Sequence, residues 1–183
     1  DAQWDGILAK KPSILKIYIS DFENRDAELK EGNVGTYGLS KEVAKAVIQE
    51  AKKTKLRVFA HIETPDDFIW AIENGVTHYA HMPGYGGGFG KKDLSTFIIP
   101  DDILLKAAES KVVITPTVSF TKYYSQAWNG NEMAIDSVIY IEKKEFLRIQ
   151  LRRMYNAGIT FALGADQNGS TLTEEINDII EIS

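Results

Sequence analysis

"LRVFAHIETPDDF", Leu56 to Phe68, is the stretch on which the fold turns. An apolar run rich in strand formers stops on His61, and a turn and a helix start follow. Thr64 is suited to N-cap that helix and Pro65 to be its first residue. Asp66 and Asp67 then sit at the positive end of the helix dipole. An imidazole at the end of a buried strand needs a reason. The pattern recurs in "VTHYAHMPG", Val76 to Gly84, where the run ends on His81. Two strands that finish on histidine suggest a shared site.

The neighbouring segments extend the same alternation. "SILKIYIS" (Ser13 to Ser20) reads as a strand. Ser40 can cap a helix to about Lys53, with Val43, Ala44, Val47, Ile48 and Ala51 as its apolar stripe. Gly75 can end the helix that starts at Pro65. A helix from about Pro100 to Ser110 precedes the strand "VVITPTV" (Val112 to Val118). A long helix from about Asp136 to Ala157 can end at Gly158, and "ITFALGAD" (Ile159 to Asp166) is a fifth strand. Thr171 with Glu174 makes a capping box for a last helix, and Asp1 to Lys10 reads as the tail of a preceding one.

Strands alternating with helices imply an α/β fold with a parallel sheet and outer helices. Two architectures fit: a doubly wound sheet, or part of a (β/α)8 barrel. A complete barrel has eight strands and takes about 250 residues. This chain has 183, with room for five strands. It reads as one incomplete domain over residues 1–183, without a linker.

Composition sets further bounds. Hydrophobic residues make up 44%, enough for one substantial core. The formal net charge of −5 argues against nucleic acid or an anionic membrane surface as main partner. No apolar run has the length of a membrane span. No signal peptide is visible, and the compartment stays open. The chain has no cysteine, which excludes disulfides, thiolate metal sites and a cysteine nucleophile.

In parallel α/β folds the active face lies at the carboxyl ends of the strands. There the sequence offers Lys16, His61, His81, Thr115 and Thr117 around Pro116, and Asp166. By alternation Asp166, Gly164, Ala162 and Thr160 share a face, and Phe161, Leu163 and Ala165 turn towards helices. Lys16 shares a face with Tyr18 and Ser20. A lysine inside an apolar strand is unusual, because burying its ammonium without a partner is costly. A strand histidine is more often a core residue than a ligand. His78 stands an odd number of residues from His81, so alternation turns it the other way. "GYGGGFGKK" (Gly84 to Lys92) fits neither a Walker A loop nor G-x-G-x-x-G, and reads as a glycine-hinged loop over the active face. "TKYYSQAW" (Thr121 to Trp128) can cover a substrate in the same way.

The lysine in "ILKIYIS", the histidines in "VFAHIET" and "HYAHMPG", and the aspartate in "FALGADQNG" follow an order that resembles the amidohydrolase superfamily. "IPDDILLKAAESKVVITPTVSF" also looks like that family's segment from sixth helix to seventh strand. The closest likeness is to the imidazolonepropionase-like and prolidase-like hydrolases, and it spans nearly the whole chain. The resemblance implies a (β/α)8 barrel of which these are strands four to eight. It implies one or two divalent metals, most often zinc. Lys16, once carbamylated, would bridge the metals. His61 and His81 would bind the second. Asp166 would bind the first and act as general base towards the attacking water, whose pKa the metal lowers to about 7. The family's HxH motif is absent, since the three histidines are His61, His78 and His81. At most one metal is therefore expected, and weak or no hydrolysis by this chain by itself. Open sheet edges should pair with a second copy or with a missing N-terminal half, or be covered by loops.

The expected activity is hydrolysis of C–N bonds (amide, peptide or cyclic amide) in a small-molecule substrate. Two alternatives remain at this point. One is a Schiff-base lyase or aldolase using Lys16. The other is a non-catalytic α/β binding module with His61 and His81 in its core.

Overall fold

The computed structural model describes residues 2–31, 38–84, 93–120, 126–129, 132–135, 137–166 and 171–183. Five strands form one parallel sheet: β1 (Ile14–Tyr18), β2 (Arg57–His61), β3 (His78–Ala80), β4 (Val113–Thr115) and β7 (Thr160–Phe161). Helices α1 (Ala2–Ala9), α2 (Arg25–Lys30), α3 (Lys41–Lys53), α4 (Pro65–Glu73), α5 (Asp101–Glu109), α6 (Ser137–Asn156) and α7 (Thr171–Ile182) lie before and between the strands and after the last. A two-stranded antiparallel ribbon, β5 (Gln126–Asn129) and β6 (Glu132–Ile135), precedes α6.

Strand order decides between the two architectures. The order β1-β2-β3-β4-β7 follows the chain, with every pair parallel. A doubly wound sheet must reverse its order at a switch point. This sheet does not. Right-handed crossovers that always step the same way put all the helices on one face, and the sheet is a sector of a (β/α)8 barrel.

Burial agrees. The register aligns Ile17, Ala60, Tyr79, Ile114 and Phe161 in one row on the helix side. The first four are at most 4% exposed. Tyr79 packs edge-on against Phe68 of α4, ring centres 4.9 Å apart, and its hydroxyl donates to the Val76 carbonyl at 2.7 Å. The opposite face carries the row Lys16, Phe59, His78, Val113 and Thr160, none of them fully buried. In a closed barrel that face is the packed interior.

Local signals mostly hold. Ser40 caps α3, accepting from the Val43 amide. Thr64 and Asp67 form a reciprocal capping box at α4, which the sequence reading had taken only as a cap and a dipole effect. Asp67 also accepts from the Asp21 and Phe22 amides at 3.0 and 3.1 Å, so it ties the loop after β1 to the helix after β2. Burial pushes its carboxyl up, and the Phe22 amide leads the opposing hydrogen bonds. Gly75 and Gly158 end their helices in the left-handed region, as expected.

Three points differ from the sequence reading. Val43 is exposed, outside the α3 stripe, because the helix meets the sheet through Ala44, Ile48 and Ala51. The fifth strand stops at Phe161, so alternation does not carry on to Asp166, and Leu163 is 57% exposed instead of packed on helices. The β5–β6 ribbon and α2 were not foreseen. At the β1 edge a loop gives part of the cover that was expected: the Leu39 amide donates to the Tyr18 carbonyl at 2.9 Å. The loop residues 85–92, residues 121–125 of the second loop and the side chain of Thr171 lie outside the described residues. No helix among the described residues is long and apolar enough to cross a membrane.

Candidate active site

The site grows from the carboxyl ends of β1 and β2. Tyr18 and His61 are register partners, and their rings stack with centres 3.9 Å apart. Glu63, just past β2, holds both. The Tyr18 hydroxyl donates to Glu63 Oε1 at 3.4 Å, and His61 Nε2 lies 3.3 Å from the same oxygen. His61 is 4% exposed, so this carboxylate sets its ring orientation from the solvent side.

The next two strand ends supply the partner. His81 is 2% exposed, its ring centre 4.6 Å from that of His61. Its Nδ1 lies 2.7 Å from Thr117 Oγ1, and that hydroxyl donates to the Pro116 carbonyl at 2.7 Å. A hydroxyl has one proton. With that proton on the carbonyl, Nδ1–H must donate to Oγ1, and in the neutral ring Nε2 carries the lone pair. Burial first, then His61 and Lys16 nearby, hold the His81 pKa down at about 2. The ring is therefore neutral at ordinary pH.

Asp166 completes the row. Its Oδ2 stands 4.0 Å from His81 Nε2. That distance is too long for a hydrogen bond, and a neutral imidazole makes no ion pair. Two lone-pair atoms face each other across it. A cation would satisfy both atoms, but a tetrahedral ion would need the pair to close from 4.0 Å. Neutral imidazole and carboxylate are zinc-type donors, so the donor chemistry fits a divalent metal. Each histidine also has a partner on its other nitrogen, as metal-binding histidines usually do. Among the described residues, no three His, Asp or Glu side chains come together as a ready metal site. A third ligand would have to come from Lys16 or from elsewhere.

Convergence at the site depends on unusual backbone. His81, Thr117 and Asp166 follow β3, β4 and β7, and all have positive φ (69°, 58° and 53°). Non-glycine residues seldom adopt this region, least of all β-branched ones, and such strain collects at functional sites. The left-handed turn at His81 also breaks the parity used for His78. By register His78 lies in the row with Phe59 and Lys16, on the face of His61, contrary to expectation. It sits at the amino end of β3, below the cluster, beside Thr77 Oγ1. Gly164 is required by contact: a Cβ there would meet Thr115 Cγ2 at 2.5 Å.

The structure thus places His81 beside His61 on one side and near Asp166 on the other, without bringing the three together as a ready metal site. Lys16 stays exposed on the sheet face, with its charge felt at His81. Sequence reading named Thr117 without a role and missed Glu63, whose only signal was its place two residues past His61.

No protein-family model matches the sequence, and no curated protein does. Solved structures do match. An amidohydrolase is 20% identical with a TM-score of 0.57, covering 82% of this chain and 34% of that one. An A. niger ochratoxinase is 17% identical with a TM-score of 0.61, covering 95% and 36%. The fold is that of the amidohydrolases. An Xaa-Pro dipeptidase crystallised with methionine in its active site is 20% identical with a TM-score of 0.52, covering 80% and 34%. The chain spans about a third of the length of each of these structures. The amidohydrolase fold is thus present here as a five-stranded sector, of the kind that the strand-end motifs resemble.

Proposed function

We propose that this chain belongs to the amidohydrolase superfamily, on its prolidase-like side. It would contribute part of the active site of a metal-dependent hydrolase of C–N bonds. The observation that carries this reading is the buried pair His61 and His81, with His81 Nε2 facing Asp166 Oδ2 at 4.0 Å. The amidohydrolase fold supports it.

His61, held at Nε2 by Glu63, would ligate through Nδ1. His81, held at Nδ1 by Thr117, would ligate through Nε2. Lys16, after carbamylation, would offer an anionic oxygen in place of a repelling ammonium. Bound there, a divalent metal such as zinc supplies Lewis acidity towards a carbonyl and towards water. Asp166 would take the proton of the attacking water on a carboxylate oxygen and pass it to the departing nitrogen. The neutral His81 keeps a positive charge from competing with the cation. The Schiff-base alternative needs a lysine desolvated enough to be a nucleophile, and the exposure of Lys16 counts against it.

With no HxH motif, the chain would hold one metal and hydrolyse poorly by itself. The β1 and β7 edges would pair with the rest of a barrel or with a second copy. Calorimetric titration with zinc tests this reading. One ion per chain is expected, lost in His61→Ala and His81→Ala and kept in His78→Ala. No binding, or equal binding in all three variants, contradicts it.

A further inference from the structure

Glu175 is an acidic residue in a core position. It lies on the face of α7 that also buries Asp178 and Ile182, and it is fully buried. Its Oε2 accepts the Ser119 amide at 2.9 Å, and its Oε1 has no hydrogen-bond partner among the described residues. Burial pushes the carboxyl up, while the Ser119 amide, the Ser119 hydroxyl and the backbone of Val118 and Thr117 favour its charged form. An apolar residue would suit this helix face better, so the carboxyl needs an explanation.

The segment it holds is the single turn Val118–Phe120 after β4. Thr117 leads into that turn with φ at 58°, a conformation a threonine does not keep without outside support. The same threonine supplies the Oγ1 that receives His81 Nδ1–H. A chain of contacts therefore runs from α7 through the turn to the buried imidazole.

We propose that Glu175 is a positioning residue for His81: by gripping the backbone that follows Thr117, it keeps Thr117 left-handed and thereby fixes the ring and the Nδ1–H tautomer of His81. The inference rests on the functional reading only in making His81 a ligand. It is the buried carboxyl, two contacts away, that selects which nitrogen His81 presents.

Long-range 1H–15N NMR of the histidine rings in the metal-free chain tests this. In the wild type, His81 should show a protonated Nδ1 and a bare Nε2. Glu175→Gln keeps an acceptor for the Ser119 amide and should keep that pattern. Glu175→Ala and Thr117→Val should each move His81 to a mixed tautomer. Zinc affinity should fall about tenfold in Glu175→Ala and recover in Glu175→Gln. If Glu175→Ala does not fold, Glu175→Leu, which fills the volume, is read in its place. Wild-type His81 signals in a folded Ala or Leu variant would overturn the proposal. So would a Gln variant that behaves like Ala. If the wild type binds no zinc, the functional reading fails while the ring signals still decide this one.

Discussion

Lys16 and His81, which the proposed function puts in one site, have opposite surroundings. Lys16 stands exposed among the described residues, on an edge strand. His81 is 2% exposed, stacked edge-on to His61 and bonded to Thr117. The β3–β4 end of the site is built within this chain by buried hydrogen bonds and left-handed turns. The β1 end offers the proposed ligand Lys16, an exposed side chain. A barrel sector can thus fully organise only the residues whose neighbours on both sides it contains.

The sharpest way to break this contrast is acid. The His81 pKa is held at about 2 when folded and lies near 6.5 when unfolded. The unfolded chain then binds the extra proton between these values, so stability present above pH 6.5 is lost as pH falls. In chelator, urea midpoints should report a loss of about 1.4 kcal/mol per pH unit, or about 3 kcal/mol by pH 4. His81→Gln should flatten that slope. An equal slope in the variant would show that His81 is not the buried neutral group described.

Asp67 should rank next. Its carboxylate serves the Asp21, Phe22 and Thr64 amides from a fully buried position. Asp67→Ala should lower stability by about 2–3 kcal/mol by denaturant unfolding. A smaller step is expected from Gly164→Ala, because Thr115 must move away from a Cβ placed 2.5 Å from its methyl. About 1–2 kcal/mol is expected, with Thr115→Ser in the same chain restoring part of it. The smallest effect should come from Lys16→Met. Exposed as it is, the change should leave stability within about 0.5 kcal/mol. It should still weaken zinc binding, which separates a ligand from a structural residue.

Much of the fold was legible because the local rules agreed with one another. Thr64-Pro65, Ser40, Gly75 and Gly158 mark helix ends by side-chain and φ chemistry that needs no tertiary context. Strand order was legible only through the family resemblance, which implied a barrel and is borne out. It comes from crossovers that step one way, which no local signal states. The ribbon was overlooked although Gly130-Asn131 between two short runs is a hairpin signal. In the site, His61 could be found by strand alternation. His81 and Asp166 were found as strand-end residues and given roles by resemblance, but their left-handed turns defeat alternation as a guide to where they face, the same failure that misplaced His78. Glu63 and Glu175 were missed because a helix or loop glutamate is usually solvated, and only packing shows which one is buried against a turn.

The most direct test of the central claim is X-ray absorption at the zinc edge on the zinc-loaded chain. The account predicts two imidazole nitrogens at about 2.0–2.1 Å with oxygen in the remaining positions, and loss of one imidazole in each of His61→Ala and His81→Ala. A zinc shell without imidazole, or one unchanged in both variants, would contradict it.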